Sequence, residues 1–527
     1  MLFDIRSIVL NAIQNHLHKP ALWVDKCSYT YQQMTAIACA LNKQWQSLSI
    51  TNIAILSQRD LSAYAAIWGC YLGGKTYIPL NQRLASKQII ETLEETGCTA
   101  LVIDKHQLHR LSDILEIAPI HYQIFCLSGV DACEISARYP DHEFYTIDST
   151  EDDFSFWKTQ LTAPDGSRYA YIMQTSGSTG KPKRIAVNYD NLHSYLGNIY
   201  HRWPMTSDDR VAQFSDLSFD LSVHDIFCAM MSGACLYSLP ELVKLNPVGF
   251  IRHHQLTAWL SVPTVIELCL QRDNLVEHSM PSLRLSFFCG QALLPELAYR
   301  WEMATGCAVI NLYGPTECTV AVTSHLYQSC DDLHFNSVPI GNSFSDHQLA
   351  IIDEEQQWHR ITNTLANTTG ELCLSGPQLT EGYLNDKTNT AKAYFLKDGI
   401  RWYRTGDLVS IRDSHLIHLG RLDHQVKIAG QRVELGEIET IARQVTQSHS
   451  IAIVPWPLSP SGYASGTVAF VSKPEQWQPN QWISECKKKL NPIFVPKEWY
   501  ILDKLPLNIN GKTDIKALQK QLETQIL

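Results

Sequence analysis

Residues 175–183, Thr-Ser-Gly-Ser-Thr-Gly-Lys-Pro-Lys, concentrate four hydroxyls, two glycines and two lysines in nine positions, with a proline as the only apolar side chain. Glycine lets backbone N–H groups turn toward an anion, and the hydroxyls and ammonium groups add donors and positive charge. The chemistry this composition suits is phosphate binding. Its spacing is not that of the common NTPase loop, which needs four residues between its glycines and a Ser or Thr after the lysine. Here two residues separate Gly177 from Gly180, and Pro182 follows Lys181. The same composition also suits a flexible surface loop, so the meaning of the stretch depends on what the rest of the chain supplies.

A β-branched and aromatic run at 169–173 predicts a strand that delivers this loop from the edge of a sheet. Other strands are expected at 258–262, at 285–289 running into Gly290 and Gln291, and at 308–312 ending in Tyr-Gly-Pro-Thr-Glu at 313–317. Strand ends carrying glycine and polar groups are where open α/β sheets place ligands, so these ends suggest one cleft. Between residues 20 and 150 short apolar strands alternate with amphipathic helices, which predicts a layered sheet covered by helices. Past residue 340 short alternating strands predict a β-rich subdomain closed by Tyr-Arg-Thr-Gly-Asp at 403–407. A polar break at 420–423 precedes a compact α+β pattern, with a helix at 435–445, strands at 451–455 and 467–471, a helix from 481 and a strand at 499–502. The expected fold class is therefore α/β: a large N-terminal layered domain with a β-rich subdomain, residues 1–421, then a small mobile α+β domain, residues 422–527.

A chain of 527 residues exceeds what one hydrophobic core organises. A formal net charge of −10 leaves no footprint for nucleic acid or an anionic membrane, so neither is expected among its partners. Fifteen scattered cysteines without a Cys-x-x-Cys pair read as reduced thiols of a cytoplasmic protein. The amphipathic start at 1–16 is too short in apolar run for a signal peptide. No stretch approaches the ~18 apolar residues of a bilayer span. The nearest, 61–74, suits a buried helix.

Taken in order, the stretches at 72–79, 175–183, 313–317, 370–383, 403–407, 420–436 and 510–512 resemble the motifs of the adenylate-forming superfamily, which includes acyl-CoA synthetases, luciferases and the adenylation domains of nonribosomal peptide synthetases. The resemblance covers almost the whole chain. It implies ATP-dependent activation of a carboxylate as an acyl-AMP with release of pyrophosphate, then transfer of the acyl group to a thiol, commonly phosphopantetheine. By the same resemblance Thr175, Ser176, Gly177, Ser178, Thr179, Gly180 and Lys181 hold the β- and γ-phosphates. Gly290, Gln291, Asn311, Leu312, Tyr313 and Gly314 line the nucleotide, with Tyr313 packed on adenine. Thr316 contacts the α-phosphate, Asp407 the ribose diol, and Arg421 the ribose or a phosphate. Glu317 is implied as the magnesium carboxylate, and one is chemically sufficient because Mg²⁺ keeps waters and phosphate oxygens.

Lys512 is implied as the catalytic cation of the first half-reaction, bridging carboxylate and α-phosphate as charge builds on phosphorus. For the second half-reaction the resemblance implies rotation of the small domain about a hinge at Asp423, replacing Lys512 by the face that carries Lys427. Gly430, Glu434 and Glu437 complete that stretch. After Lys183 the family often continues with glycine and later histidine, whereas this chain has Arg184 and Asn188, a departure that bears on loop geometry.

Asp220, in a Phe-Asp stretch, resembles the aspartate that peptide-synthetase adenylation domains pair with a substrate ammonium. A buried carboxylate needs such a cation, so the acid activated is expected to be an amino acid. The implied pocket adds Leu221, His224, Leu260, Phe287, Cys289, Leu312, Val320 and Ala321, with Lys512 at the substrate carboxylate. This apolar lining suits a small aliphatic side chain. The combination of Asp220, Leu221, Leu312 and Val320 resembles free-standing enzymes that activate L-proline, which makes proline the expected substrate and D-alanine the main alternative. An acyl- or aryl-CoA ligase, a nucleotide-binding regulator and a phosphate-releasing NTPase are the remaining alternatives. No carrier-domain serine motif follows Lys512, so the acceptor is expected to be a separate carrier protein. Lys487, Lys488 and Lys489 form a basic face that such a partner could meet, although a solvated face has the same composition.

Overall fold

Short strands buried on both faces form the centre of the N-terminal part, as a parallel sheet covered by helices on each side requires. The computed structural model describes residues 4–149, 166, 168–175, 182–272, 274–362, 368–422, 425–428, 431–448, 450–459, 464–472, 478–506 and 513–526. Among these, one sheet runs in the order Glu143–Ile147, Gln123–Leu127, Ala100–Ile103, Asn52–Leu56, Thr76–Pro79, Tyr169–Thr175, Lys183–Asn188. Every residue of Thr76–Pro79 and Ala100–Ile103 is buried. The helix Leu61–Leu72 packs against this sheet with almost all of its residues buried, and Asp60 caps it by accepting from Ala63 N at 3.2 Å. Its small and aromatic composition therefore reflects core packing rather than a membrane span. No helix among the described residues is long and apolar enough to cross a membrane.

The second sheet positions the candidate site. Its parallel centre runs Cys235–Ser238, Arg210–Gln213, Ala258–Ser261, Leu285–Phe288, Ala308–Tyr313, and Thr323–Leu326 then pairs antiparallel with the last of these. Leu260 is in register with Phe287 and Phe287 with Ile310. Side chains alternate along a strand, so Leu260, Phe287 and Leu312 fall on one face of three adjacent strands. Arg59 ties the ends of two of these strands together, donating to Gln213 O at 3.3 Å and Leu239 O at 2.6 Å while pairing with Glu241 at 2.7 Å.

The third sheet is antiparallel, in the order Trp358–Arg360, Gln348–Ile352, Thr369–Ser375, Ile400–Arg412, Tyr394–Lys397, with His415–Arg421 also paired to Ile400–Arg412. The Tyr-Arg-Thr-Gly-Asp stretch expected to close this subdomain lies instead inside the strand Ile400–Arg412. The reason is a bulge: Glu371 pairs with Leu408 but Cys373 with Arg404, so extra residues stand out on one strand. Gly406 takes a φ of +70°, Thr405 Oγ1 donates to Leu372 O at 2.7 Å and accepts from Asp407 N at 3.0 Å. A bulge of this kind re-aims the side chain beside it, here that of Asp407.

Contacts among the described residues divide the chain into one unit of residues 1–82, 89–173 and 184–420 and another of residues 83–88, 174–183 and 421–527. In the second unit a hairpin, Gln425–Ile428 with Gln431–Glu434, leads into the helix Leu435–Thr446. The strand Thr467–Ser472 pairs antiparallel with Ile451–Pro455 and parallel with Glu498–Leu502. Ile438, Ala442, Ile453, Val471, Trp482 and Trp499 belong to one buried cluster of this unit. The helix expected from 481 is Pro479–Lys487, begun by proline in its first turn, a position where the missing N–H has no intrahelical partner to lose.

Candidate active site

Asp220 stands at the N-cap position of the helix Leu221–Ser232, a position that favours aspartate for capping, yet its side chain makes no capping bond. Backbone bonds close the turn instead, from Ser222 N to Phe219 O and from Val223 N to Asp220 O, each 3.0 Å. The carboxylate is half-buried. Burial raises the phenols of Tyr77 and Tyr171 well above their ordinary range, with the charge of Asp220 second for Tyr171 and, after Cys70, third for Tyr77. Both hydroxyls are buried without a hydrogen-bond partner among the described residues, and their rings lie 5.6 Å apart. Residue types alone did not single out these two tyrosines, because each reads as an ordinary core residue of a parallel strand.

One turn beyond Asp220, His224 is 1% exposed and Phe287 fully buried, with ring centroids 4.8 Å apart in an edge-to-face arrangement. Burial pushes the imidazole down to about 3, so it is neutral at ordinary pH. Its Nδ1 meets Tyr195 OH at 2.7 Å, while Nε2 has no hydrogen-bond partner among the described residues. Leu260, Cys289, Leu312, Val320 and Ala321 are likewise buried, and Leu221 nearly so. Gly290 adopts a φ of +89°, and a Cβ there would meet Val262 at 3.3 Å and Leu221 at 4.0 Å, so it belongs beside this wall. Gln291 accepts from Thr264 Oγ1 at 3.1 Å. Asn311 donates to Val338 O at 3.2 Å and Pro339 O at 2.9 Å, a bracing arrangement beneath the strand end.

The stretch after Tyr313 is bent by two consecutive non-glycine residues in the left-handed region, Thr319 at φ +57° and Val320 at φ +67°. A β-branched residue is poorly suited to that conformation, which costs of order 1–3 kcal/mol and persists only where neighbours enforce it. Gln378, fully buried, does so: its Nε2 donates to Ala321 O at 2.7 Å and to Cys318 O and Thr319 O at 3.1 Å, and its backbone oxygen accepts from Thr319 Oγ1 at 2.8 Å. Thr316 and Glu317 open the short 3-10 turn Thr316–Cys318 within this bend. Glu317 is 1% exposed, and its Oε1 accepts from Tyr383 OH at 2.8 Å.

No cluster of three or more metal-ligating side chains occurs among the described residues. An anchored single carboxylate nevertheless fits a magnesium ion that draws its other ligands from phosphates and water.

Tyr313 OH donates to Asp407 Oδ2 at 2.6 Å, and His418 Nε2 lies 3.5 Å from Asp407 Oδ1. The residues proposed for adenine and ribose are therefore in direct contact. His418 was not evident in the sequence, since a lone histidine on an alternating strand carries no signal of its partner.

The departures at Arg184 and Asn188 have structural partners. Arg184 is buried and ion-paired with Glu95, while Asn188 caps the helix Tyr189–Arg202 through a reciprocal bond with Asn191. Thr175 ends its strand half-buried. Arg421 ends the strand His415–Arg421, also half-buried. Ser176, Gly177, Ser178, Thr179, Gly180, Lys181, Asp423, Gly430 and Lys512 lie outside the described residues, as do the side chains of Lys427, Glu434 and Glu437.

Residues 10–384 match the model of the AMP-binding enzyme family. The chain is 56% identical to the Vibrio cholerae adenylation domain AlmE, solved in complex with glycyl-adenosine-5'-phosphate, with a TM-score of 0.96 over 99% of this chain and 98% of that one. It is 28% identical over 504 residues to the D-alanine–D-alanyl carrier protein ligase of Bacillus velezensis, covering 92% of each chain. With the enzyme of the same description from Lacticaseibacillus casei it shares 30% identity over 463 residues, 85% of each chain.

Proposed function

The chain belongs to the AMP-binding enzyme family, and from that premise we propose that this AMP-forming ligase activates glycine as glycyl-AMP and passes the glycyl group to the phosphopantetheine thiol of a separate carrier protein. The observation that carries the choice of glycine is the wall itself. His224, Leu260, Phe287, Cys289, Leu312, Val320 and Ala321 are each no more than 2% exposed, so the wall is closely packed and offers a side chain little room. Glycine, with only hydrogen at that position, asks for none. L-Proline, the expectation from the resemblance, needs room for three methylenes, and D-alanine, the amino acid in the name of the ligases at 28–30% identity, needs room for a methyl. The glycyl-adenylate complex of the chain sharing 56% identity supports the same reading.

In this proposal Asp220 accepts hydrogen bonds from the ammonium group, while Lys512 bridges the glycine carboxylate and the α-phosphate. A carboxylate oxygen bonds to the α-phosphorus as the bond to the β-phosphate bridge oxygen breaks, and pyrophosphate leaves with that electron pair. Thr316 and the loop from Thr175 to Lys181 hold the phosphates, Tyr313 faces adenine, and Asp407 with Arg421 takes the ribose. Magnesium, held by Glu317, would supply positive charge to the phosphate oxygens. In the second step the thiol sulfur bonds to the glycyl carbonyl carbon, the bond from that carbon to the phosphate oxygen breaks, AMP leaves with that electron pair, and the thiol proton passes to solvent. The division into 1–421 and 422–527, the hinge at Asp423 and the part of Lys427 in that step belong to the same proposal.

ATP–pyrophosphate exchange across glycine, L-alanine, D-alanine and L-proline tests it. Glycine should give the highest kcat/KM. A higher value for proline or D-alanine, or orthophosphate release without any amino acid, would overturn the reading.

A further inference from the structure

We propose that Tyr195 sets the size limit of the amino-acid pocket, acting from behind the lining by holding the His224 ring edge-on to Phe287, where a substrate side chain would otherwise lie. The inference rests on the glycine reading and adds a residue outside the pocket positions. Tyr195 is fully buried on the helix Tyr189–Arg202 and reaches His224 Nδ1 at 2.7 Å.

The helix that carries Tyr195 is fixed at both ends. Asn188 caps it, Asn191 Nδ2 donates to Pro377 O at 2.7 Å, and Asn198 Oδ1 accepts from Ser345 N at 2.9 Å. Behind Tyr195 stands Phe344, with ring centroids 6.4 Å apart, and behind Phe287 stands Trp203 at 5.7 Å. These rings back the phenol and the phenyl ring on the side away from His224.

The hydrogen bond decides the position of the imidazole because no other polar partner among the described residues competes for it. Nε2 already lacks one among the described residues, so without Tyr195 OH both ring nitrogens would be buried and unpaired. A ring in that state gains by turning toward water and vacating the pocket. Burial also favours the neutral form of both groups, which keeps the pair intact through the range in which the enzyme would be assayed. Tyr195 is thus a positioning residue, with no contact to the reacting atoms required.

The test compares kcat/KM for glycine and L-alanine in the full chain carrying Tyr195→Phe, His224→Ala, or both, with melting temperatures recorded in parallel. Tyr195→Phe keeps the aromatic bulk and removes only the hydroxyl, and should raise the alanine-to-glycine ratio about tenfold, with the KM for alanine carrying most of the change. His224→Ala should raise the ratio further. The double variant should match His224→Ala, since Tyr195 acts through that ring alone. An unchanged ratio in Tyr195→Phe beside a relaxed His224→Ala would overturn the proposal. So would a loss that falls equally on both amino acids, the mark of a merely structural role. A wild-type enzyme that prefers another amino acid to glycine would instead overturn the functional reading on which the proposal rests.

Discussion

Gly314→Ala is the smallest change expected to disable the site. Gly314 lies between Tyr313 and the turn Thr316–Cys318, and a Cβ built on it falls 2.5 Å from Ala321 Cα and 3.0 Å from both Ala321 C and Val320 O. Carbon atoms in ordinary contact stand about 3.5–4.0 Å apart, so the two segments must separate by about 1 Å. The obstructing atoms are backbone and cannot swing aside. They also belong to the bend that Gln378 holds, which leaves the displacement to be taken up between Tyr313 on one side and Val320 and Ala321 on the other. Overpacking of this kind destabilises by about 1–3 kcal/mol, a loss of a few degrees at most in a chain this long. A misplacement of about 1 Å within a reacting constellation lowers the rate on the order of 10²-fold, or about 2.7 kcal/mol of barrier. Glycine-dependent ATP–pyrophosphate exchange measured beside thermal melting should therefore show activity falling about a hundredfold in a protein that still folds. Exchange at the wild-type rate with an unchanged melting temperature would refute the close approach of these two segments.

Asp220→Asn should lower kcat/KM for glycine by about ten- to a hundredfold, the worth of a hydrogen bond to a charged group, and leave the KM for ATP unmoved. An equal effect on ATP would show that Asp220 does not serve the ammonium group. Stability should be fully present above pH 6.5 and decline as the pH falls toward 4, because burial keeps His193 neutral down to about 4 and His224 down to about 3. The unfolded chain binds those protons near pH 6.5, so each group contributes a slope of up to about 1.4 kcal/mol per pH unit below that point. Urea midpoints at pH 7.5, 6.5, 5.5 and 4.5 measure it. His193→Gln should reduce the slope between 6.5 and 5.5, and an unaltered slope would remove His193 from the account.

The strands Ala258–Ser261, Leu285–Phe288 and Ala308–Tyr313 were legible in the sequence because each follows from residue type and spacing within a few positions, whereas the wall positions came only from the family resemblance. Short apolar runs located the strands that place Leu260, Phe287 and Leu312 on one face. What stayed hidden was every relation across long stretches of chain. Nothing about Tyr195 announces its partner His224, 29 residues away, and nothing about His418 announces Asp407. The bulge at Thr405–Asp407 was also invisible, since it arises from a mismatch with a strand more than thirty positions earlier. Threonine and valine at 319 and 320 gave no hint of a left-handed bend, because both residues favour the opposite, extended backbone. The proposal of glycine in place of proline turns on a relation of the same kind. The resemblance implied His224 and Phe287 as lining residues, but their edge-to-face packing was not visible in residue types.

Gln378 has a consequence for anyone redesigning this chain. A single amide from the loop after Thr369–Ser375 fastens the curved backbone that presents Val320 and Ala321, so the far side of the proposed substrate chamber is suspended from a neighbouring sheet. Transplanting lining residues from an enzyme of different selectivity would change the paint on that chamber and leave its frame where it was. Recombination with such an enzyme would have to carry residues 313–322 and the 376–380 loop together.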